Sequence, residues 1–298
     1  MNLKGKDFLT LLDYNKDEIL YLIDLAAKLK QENKENKTHH ILNGKTLAMI
    51  FAKPSLRTRV SFEVGIQQLG GYAVVLKQDE INLGQRETIA DTARVLSRYA
   101  DGIMIRTFAH QDVVDFAKYS DIPVINALTD LCHPCQVLAD LLTIKEKLGK
   151  LENLKLAYVG DGNNMANSLL AGCSIVGMDV SIACPKGYEP NEAFITPNAE
   201  ILDDPFEAVK WANIIYTDVW ASMGQESEAA ERRKIFADYQ VNSKLLENAS
   251  KDAIVLHCLP AHRGEEITES VFETHADIIF EQAENRLHAQ KAIMASIM

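Results

Sequence analysis

The fold is decided by a stretch near the N-terminus, residues 46–59, which reads TLAMIFAKPSLRTR. Its first part, 46–51, is an unbroken apolar run of strand length, and its second part is polar. A helical pattern follows, in which Phe62, Ile66 and Leu69 share a face. A buried strand, a turn and a helix in this order are typical of a βαβ unit, so the stretch predicts an α/β fold with a parallel sheet.

Apolar runs of the same kind recur along the rest of the chain and alternate with helical patterns. They are rich in Val and Ile without strict alternation, as expected of strands that helices cover on both faces. The runs are 46–51, 72–76, 102–105, 124–127, 156–159, 180–183, 214–217, 253–256 and 277–280. We therefore expect two doubly wound domains, each with a central parallel sheet.

The helical pattern 136–150 is the best candidate for the boundary between the two halves, because no Pro-, Gly- or Ser-rich linker interrupts the chain. We predict a first domain of residues 1–135, completed by a C-terminal helix at 287–298, and a second domain of residues 151–286. Ligands of open α/β sheets bind outside the carboxyl ends of the strands. An active site in the cleft between the domains is the corresponding expectation.

Composition limits the classes of partner. The 298 residues carry a net charge of −11 and are 47% hydrophobic, and no Lys- or Arg-rich run suggests nucleic acid or a membrane surface. The five cysteines are odd in number and few for this length, so they do not predict a disulfide framework. No apolar signal segment opens the chain. We expect a soluble, cytoplasmic protein.

The polar part of the first stretch has the composition of a phosphate site. Ser55, Arg57, Thr58 and Arg59 place two hydroxyls and two guanidiniums at a predicted helix start, where backbone N–H groups and the helix dipole also favour an anion. The glycines and the Gly-Lys-Ser/Thr ending of a nucleotide P-loop are absent, so we expect a small phosphorylated metabolite. A helix cap with two solvated arginines is the alternative.

Two other motifs suggest chemistry that the sequence does not support further. Gly160 and Gly162 fit the start of a dinucleotide fingerprint, but Met165 stands where the third glycine belongs. Cys132 and Cys135 form a Cys-x-x-Cys that resembles a redox motif or half of a zinc site, and no second ligand pair follows at standard spacing. We expect no cofactor and no metal.

The run Ser55-Leu56-Arg57-Thr58-Arg59 resembles the Ser-x-Arg-Thr-Arg signature of the aspartate/ornithine carbamoyltransferase family. The other motifs of that family follow in order along nearly the whole chain: Arg106, His133-Pro134-Cys135-Gln136, Asp218-Val219-Trp220-Ala221-Ser222-Met223-Gly224, His257-Cys258-Leu259-Pro260 and Ala283-Glu284-Asn285-Arg286. The resemblance implies an enzyme that transfers the carbamoyl group of carbamoyl phosphate to an amine. It also implies a homotrimer acting in arginine metabolism.

For the donor, the resemblance implies that Arg106 and His133 polarise the carbamoyl oxygen while Gln136 contacts the carbamoyl nitrogen. Attack on the carbonyl builds negative charge on its oxygen, where one well-placed hydrogen-bond donor is worth ~3 to 4 kcal/mol. Asn82 matches a loop position that the family often fills with Gln and uses across a subunit boundary. The complete implied carbamoyl phosphate set is Ser55, Leu56, Arg57, Thr58, Asn82, Arg106, His133, Pro134, Cys135, Gln136, Cys258, Leu259 and Arg286.

For the acceptor, the motifs around Asp218 and Cys258 resemble the ornithine-specific branch of the family. The resemblance places Asn164, Asp218, Ser222 and Met223 on ornithine, with Cys258 beside the reacting nitrogen. An alkylammonium has a pKa near ~10.4, so presenting it neutral at about pH 7.4 costs on the order of 4 kcal/mol, and only the neutral amine attacks. Cys258 is interpreted as an orienting group and a candidate proton acceptor.

Other readings of the whole chain stay open at this point. Putrescine or acetylornithine could replace ornithine as the acceptor, and a carbamoyl-phosphate-binding relative without catalysis would use the same donor motifs. A nicotinamide dehydrogenase is disfavoured by the incomplete glycine fingerprint.

Overall fold

The structure is a computed structural model that describes residues 1–78, 87–222 and 224–298. The chain divides into two compact units, the first made of Met1–Leu142 and Asn285–Met298 and the second of Thr143–Glu284. Both boundaries fall inside helices, at 142/143 and 284/285. The domain bounds expected from the sequence, a helix at 136–150 and a C-terminal helix at 287–298, stay a prediction.

Unit 1 is built on a four-stranded parallel sheet with the strand order β2-β1-β3-β4. Its strands are β1 (Thr46–Phe51), β2 (Tyr72–Lys77), β3 (Gly102–Arg106) and β4 (Val124–Leu128). Its described helices are α1 (Lys16–Lys34), α2 (Leu56–Gln68), α3 (Ile89–Tyr99), α4 (His110–Tyr119) and the first part of α5 (Pro134–Leu148). Strand β1 neighbours both β2 and β3, so the chain leaves β1 and β3 in opposite directions. This makes the space beyond the carboxyl ends of β1 and β3 the ligand crevice expected of the fold.

Helices cover both faces of this sheet, which explains the continuous apolar strands. Residues 47–50 of β1 and 103–105 of β3 are all buried. Ala48, Ile50 and Ile105 share a cluster with Val113 and Phe116 from α4. Each large apolar side chain buried in this way contributes about 1.5–3 kcal/mol, so the sheet holds the loops at its carboxyl end on a rigid base.

Unit 2 contains a five-stranded parallel sheet with the order β7-β6-β5-β8-β9. Its strands are β5 (Lys155–Val159), β6 (Asp179–Ala183), β7 (Ala199–Leu202), β8 (Ile214–Thr217) and β9 (Ile254–His257). Its helices are α6 (Asn164–Val176), α7 (Pro205–Val209), α8 (Ala229–Ile235), α9 (Ser243–Leu246), α10 (Glu269–Thr274) and the start of α11 (Ala276–Ile297). The chain leaves β5 and β8 in opposite directions, and the glycine motif and Asp218 directly follow these two strands. The prediction of two domains with parallel sheets is confirmed.

The strand predicted at 277–280 is wrong, because these residues form the first turns of α11. The burial pattern explains the error: Ile279, Gln282 and Arg286 are buried at helical spacing, whereas Phe280 is 56% exposed. Three apolar residues after Asp277 are too short a run to distinguish a strand from a helix. None of the helices in the described ranges, α11 included, is long and apolar enough to cross a membrane.

Strand β7 was not predicted. It lies at the edge of the second sheet, and its sequence, Ala-Glu-Ile-Leu, contains a charged residue at Glu200. Edge strands are often short and charged, since one side of the ladder faces water. The remaining predicted strands match the observed ones to within one residue at either end.

Candidate active site

The first turn of α2 begins at a cap that the sequence predicts. Ser55 has an extended backbone, and its Oγ accepts a hydrogen bond from the Thr58 N–H at 3.2 Å. The two arginines of the motif differ in exposure. Arg59 is exposed and pairs with Glu63, one turn along the helix, at 3.3 Å, whereas Arg57 is half-buried. Only Arg57 therefore belongs with the buried groups described next.

Two buried guanidiniums from separate parts of the chain meet the first turn of α2. Arg106, the last residue of β3, and Arg286, on α11, each donate to Thr58 Oγ1 at 3.4 Å. Arg286 also donates to Gln136 Oε1 at 2.7 Å, and Gln136 in turn donates to Asp140 at 2.8 Å. All of these side chains belong to unit 1 and are at most 9% exposed.

His133 directly precedes α5 and lies among the same cations. Burial, followed by the charges of Arg286, Arg106 and Arg57, holds the pKa of His133 well below its ordinary value of 6.5. The imidazole is therefore neutral at pH 7 and can donate one N–H to an oxygen without adding charge. The three arginines concentrate positive charge around this neutral histidine, in a chain whose net charge is −11.

The two cysteines of the Cys-x-x-Cys motif beside this cluster are buried and pack within the core. The Cys135 thiol donates to the Asn126 carbonyl at 3.3 Å, and the Cys132 thiol lies 3.6 Å from the Leu9 carbonyl. Burial raises the pKa of both thiols to about 12. Since the thiolate is the redox-active and metal-binding form, neither cysteine is suited to either task near neutral pH.

In unit 2, Asp218 is the meeting point of polar groups at the carboxyl ends of three strands. It follows β8 and is 6% exposed. Its Oδ1 accepts from the Cys258 thiol at 3.0 Å and from the Val219 N–H at 2.8 Å. Its Oδ2 accepts from Asn163 Nδ2 at 3.0 Å. The predicted pair of Asp218 and Cys258 is thus brought together by strands β8 and β9.

Close packing within the chain accounts for Gly162 in the loop after β5, so a bound dinucleotide is not needed to explain this glycine. A Cβ on Gly162 would lie 2.3 Å from the Pro190 nitrogen, and the Gly162 N–H donates to the Tyr188 carbonyl at 2.9 Å. In a dinucleotide site that backbone must instead approach a pyrophosphate. The loop ends at Asn163, which caps α6 by accepting from the Met165 N–H at 2.8 Å. The nicotinamide alternative therefore loses its structural basis.

The turn after β9 is held by two fully buried side chains, His257 and Glu266. The Leu259 N–H donates to His257 Nδ1 at 2.8 Å, so Nδ1 carries no proton and Nε2–H donates to Glu266 Oε1 at 3.0 Å. Leu259 itself has a left-handed backbone with φ 59°. Asp218, His257 and Cys258 lie close enough together to resemble a metal-ligand set, but both imidazole nitrogens of His257 are already engaged.

Four more of the predicted residues lie within the described ranges. Leu56 is 75% exposed, Pro134 is the first residue of α5, and Asn164 is the first residue of α6. Asn164 and Ser222 are half-buried, and the Ser222 N–H donates to Gln225 Oε1 at 2.9 Å. Asn82 and Met223, two further predicted residues, lie outside the described residues.

A buried cation that the sequence analysis missed connects two loops of this half-site. Arg232, on α8, donates to Asp161 Oδ2 and to the Trp220 carbonyl, each at 2.9 Å, and to Glu228 at 3.0 Å. Asp161 belongs to the loop after β5, and Trp220 to the loop after β8. Burial raises the pKa of Asp161 to about 6, although Arg232 opposes that shift. Within the sequence Glu-Arg-Arg-Lys nothing distinguishes Arg232 from its solvated neighbours.

Two family models match consecutive parts of the chain. Residues 6–146 match the carbamoyl-P binding domain of aspartate/ornithine carbamoyltransferase, and residues 152–297 match the Asp/Orn binding domain of the same family. The ornithine carbamoyltransferase of Anoxybacillus flavithermus is 57% identical over 100% of this chain and 98% of its own. That of Oceanobacillus iheyensis is 56% identical over 99% and 95%. The solved ornithine carbamoyltransferase of Pyrococcus furiosus is 53% identical, with a TM-score of 0.97, over 100% of this chain and 98% of that one.

Proposed function

Because this chain belongs to the aspartate/ornithine carbamoyltransferase family, we propose that it transfers the carbamoyl group of carbamoyl phosphate to the side-chain amine of L-ornithine, giving L-citrulline and phosphate. The observation that carries the ornithine specificity is the buried Asp218 carboxylate, which accepts from both Cys258 and Asn163. An anionic group of this kind suits a diamino acid, whose two amines are both cationic, and disfavours the second carboxylate of aspartate.

In this proposal the donor binds to the first turn of α2. The N–H groups of that turn, Thr58 and the guanidiniums of Arg57, Arg106 and Arg286 neutralise the phosphate dianion. Ser55 caps the turn, and Leu56, Pro134 and Cys135 line the donor, Cys135 through its backbone because its thiol faces Asn126. Asn82 lines the donor of a neighbouring subunit.

The carbamoyl group is polarised by neighbouring donors in the same cluster. Arg106 and neutral His133 donate to the carbonyl oxygen, and Gln136 faces the carbamoyl nitrogen. Negative charge develops on that oxygen as the amine attacks, and removing one such donor lowers turnover by about 10²–10³. The neutrality of His133 follows from its lowered pKa.

The acceptor binds in unit 2. Asn164 holds the α-carboxylate of ornithine, while Asp218, Ser222 and Met223 hold the α-amine. Cys258 lies beside the reacting nitrogen, and the Leu259 carbonyl contacts the carbamoyl group. Because Cys258 already donates to Asp218, this pair can orient the amine and take part in removing its proton.

The chemical step is a single displacement. The ammonium loses one proton, its lone pair forms the new C–N bond at the carbonyl carbon, and the C–O bond to the phosphate breaks. The electrons of that bond leave with phosphate, and the second amine proton is released as citrulline forms. Carbamoyl phosphate is already activated, so no covalent bond to Cys258 is needed.

A panel of acceptors tests the proposal. Citrulline or its analogue is measured with carbamoyl phosphate and each of ornithine, putrescine, acetylornithine and aspartate over a range of pH. Ornithine is expected to give the fastest turnover at saturating donor. A product formed only with another amine would preserve the assignment of carbamoyl phosphate as the donor and overturn that of ornithine as the acceptor. Phosphate binding without product from any amine would favour a non-catalytic relative.

We further propose a cytoplasmic homotrimer in arginine metabolism, with Asn82 completing a neighbouring site. Unit 1 supports assembly because it exposes large apolar side chains, among them Tyr72, Val74 and Tyr99, each at least 41% exposed. The five cysteines, all within the described residues, are free thiols, as is usual in a reducing compartment. Light scattering of the purified protein tests the trimer, and a monomer with full activity would contradict it.

A further inference from the structure

A buried chain of hydrogen bonds joins α11 to the peptide of the phosphate motif. Arg286 Nε donates to Gln290 Oε1 at 3.0 Å, and Gln290 Nε2 donates to Ser61 Oγ at 2.8 Å. Ser61 Oγ donates onward to the carbonyl of Arg57 at 2.6 Å. Arg286 is 3% exposed and Gln290 is fully buried. All four residues lie in unit 1.

Each link of this chain fixes the direction of the next. The Arg57 carbonyl can only accept, so the single hydroxyl proton of Ser61 is used there and its oxygen is left to accept from Gln290. The Gln290 amide must then present its NH₂ to Ser61 and its carbonyl oxygen to the Arg286 cation. A flipped amide would set NH₂ against the guanidinium. The orientation of Gln290 is therefore determined by the network.

The same network fixes the plane of the Arg286 guanidinium. Its Nε edge is held by Gln290, while Nη1 donates to Gln136 and Nη2 to Thr58. A guanidinium whose position is set before the ligand arrives does not have to be ordered when it binds. Gln136 and Thr58 belong to the donor site itself, whereas Gln290 lies behind Arg286.

The two helices that carry the chain are in close contact. A Cβ on Gly65 of α2 would lie 3.0 Å from Met294 Cε, 3.3 Å from Lys291 Cγ and 3.5 Å from Leu287 Cδ1, all on α11. Glycine at 65 thus permits the short approach that lets Gln290 reach Ser61. At the same seam, Lys291 Nζ donates to Gln68 Oε1 at 2.9 Å, a contact without a link to Arg286.

We propose that Gln290 and Ser61 are positioning residues for carbamoyl phosphate, which hold Arg286 and the first turn of α2 in the arrangement that binds the phosphate group. This inference rests on the proposed function, because it assigns the ligand of Arg286. Neither residue contacts the donor in this account. Their effect passes through the guanidinium of Arg286 and the backbone of Arg57.

The test compares Gln290→Met with Lys291→Met, two substitutions on adjacent residues of the same helix and seam. For Gln290→Met the KM for carbamoyl phosphate should rise about tenfold, as expected for one buried hydrogen bond to a charged group. The KM for ornithine should stay within about twofold of the parent, since Asn164, Asp218 and Ser222 are not links of this chain of hydrogen bonds. Lys291→Met should leave both KM values near the parent, although it also removes a buried polar contact.

Two further variants separate positioning from packing. Gln290→Glu restores an acceptor for Arg286 but cannot donate to Ser61, so it should recover part of the donor affinity that Gln290→Met loses. Ser61→Ala, which removes one small oxygen, should raise the donor KM alone. Adding Gln290→Met to the Ser61→Ala variant should then raise the KM for carbamoyl phosphate by a smaller factor than adding it to the parent. Both substitutions act through one network, so their effects are not additive.

Calorimetric titration with inorganic phosphate gives a readout that does not need turnover. Weaker phosphate binding by Gln290→Met and Ser61→Ala, with Lys291→Met unchanged, supports the inference. Equal phosphate binding by all folded variants overturns it, as does an equal change in the Lys291→Met control. If the parent protein binds phosphate but never carbamoylates ornithine, the proposed function fails while the titration still decides the role of Gln290 and Ser61.

Discussion

The Cys258 thiol donates to Asp218 Oδ1 across 3.0 Å, bringing together two side chains that follow adjacent strands β9 and β8. Asn163 holds the other carboxylate oxygen from the loop after β5. The carboxylate is therefore oriented by groups from three neighbouring strand ends. This arrangement places one carboxylate and one thiol within hydrogen-bonding distance of each other.

Replacing the thiol tests its part in catalysis. Cys258→Ala should lower kcat/KM for ornithine about 10–100-fold, because it removes a group that orients the amine and takes part in its deprotonation. Cys258→Ser keeps a donor to Asp218 and should recover part of this loss. Steady-state kinetics with Cys173→Ala, a buried cysteine in α6, serve as the control. Full turnover by Cys258→Ala would remove the thiol from the mechanism and leave the donor site unaffected.

Substitutions in the two units should affect different substrates. Asp218→Asn should raise the KM for ornithine about 30-fold or more, since losing one partner of a buried charge interaction costs at least ~2 kcal/mol. Arg57→Ala should instead weaken carbamoyl phosphate binding and catalysis. Initial rates with each substrate varied in turn measure both effects. The assignment of roles fails if either variant retains parental values for both substrates.

His133 should make stability depend on pH. Its folded pKa lies well below the unfolded value near 6.5, so below about pH 6.5 the unfolded chain binds a proton that the folded protein excludes. The unfolding free energy should then fall as the pH drops, by up to about 1.4 kcal/mol per pH unit from this group. Denaturant titrations of the parent and His133→Gln at pH 7 and pH 5.5 check this. A difference between the two proteins that does not change with pH would contradict a neutral His133.

The ion pair between Arg232 and Asp161 should contribute far more to the free energy of unfolding than the neighbouring pair between Arg233 and Glu265. Arg232→Met leaves Asp161 buried without its cation and should cost about 3–5 kcal/mol of unfolding free energy. The adjacent Arg233→Met breaks only a pair with the half-buried Glu265 in which the Arg233 side chain is 56% exposed, and it should cost less than about 1 kcal/mol. Where Arg232→Met remains folded, the KM for ornithine should rise, because the loops after β5 and β8 lose their common anchor. Equal stability of the two variants would refute the structural role of Arg232.

The parts that could be predicted from the sequence are those encoded locally. The cap at Ser55 and the positions of Arg106, Asp218 and Cys258 at the carboxyl ends of their strands follow from strand runs and from the rule that ligands bind at those ends. The run 277–280 shows where that logic fails, because its helix is recognisable only from the burial of Ile279 and of later residues.

The unpredicted contributors owe their roles to distant partners. Gln290 looks like any polar helix residue until Arg286 and Ser61 are brought to it, and Arg232 lies in a run of charged residues that favours a solvated face. Asn163 could have been suspected as a helix cap after a glycine turn. Its bond to Asp218 required the order of strands β5 and β8 in the sheet.

Transfer of the carbamoyl group itself is the central claim, and isotopic label in that group tests it most directly. The purified protein is given carbamoyl phosphate labelled at the carbonyl carbon, and citrulline and phosphate are followed together with and without ornithine. The account predicts that label enters citrulline in a one-to-one ratio with released phosphate, and only when ornithine is present. Phosphate release without labelled citrulline, or at the same rate without ornithine, would contradict it.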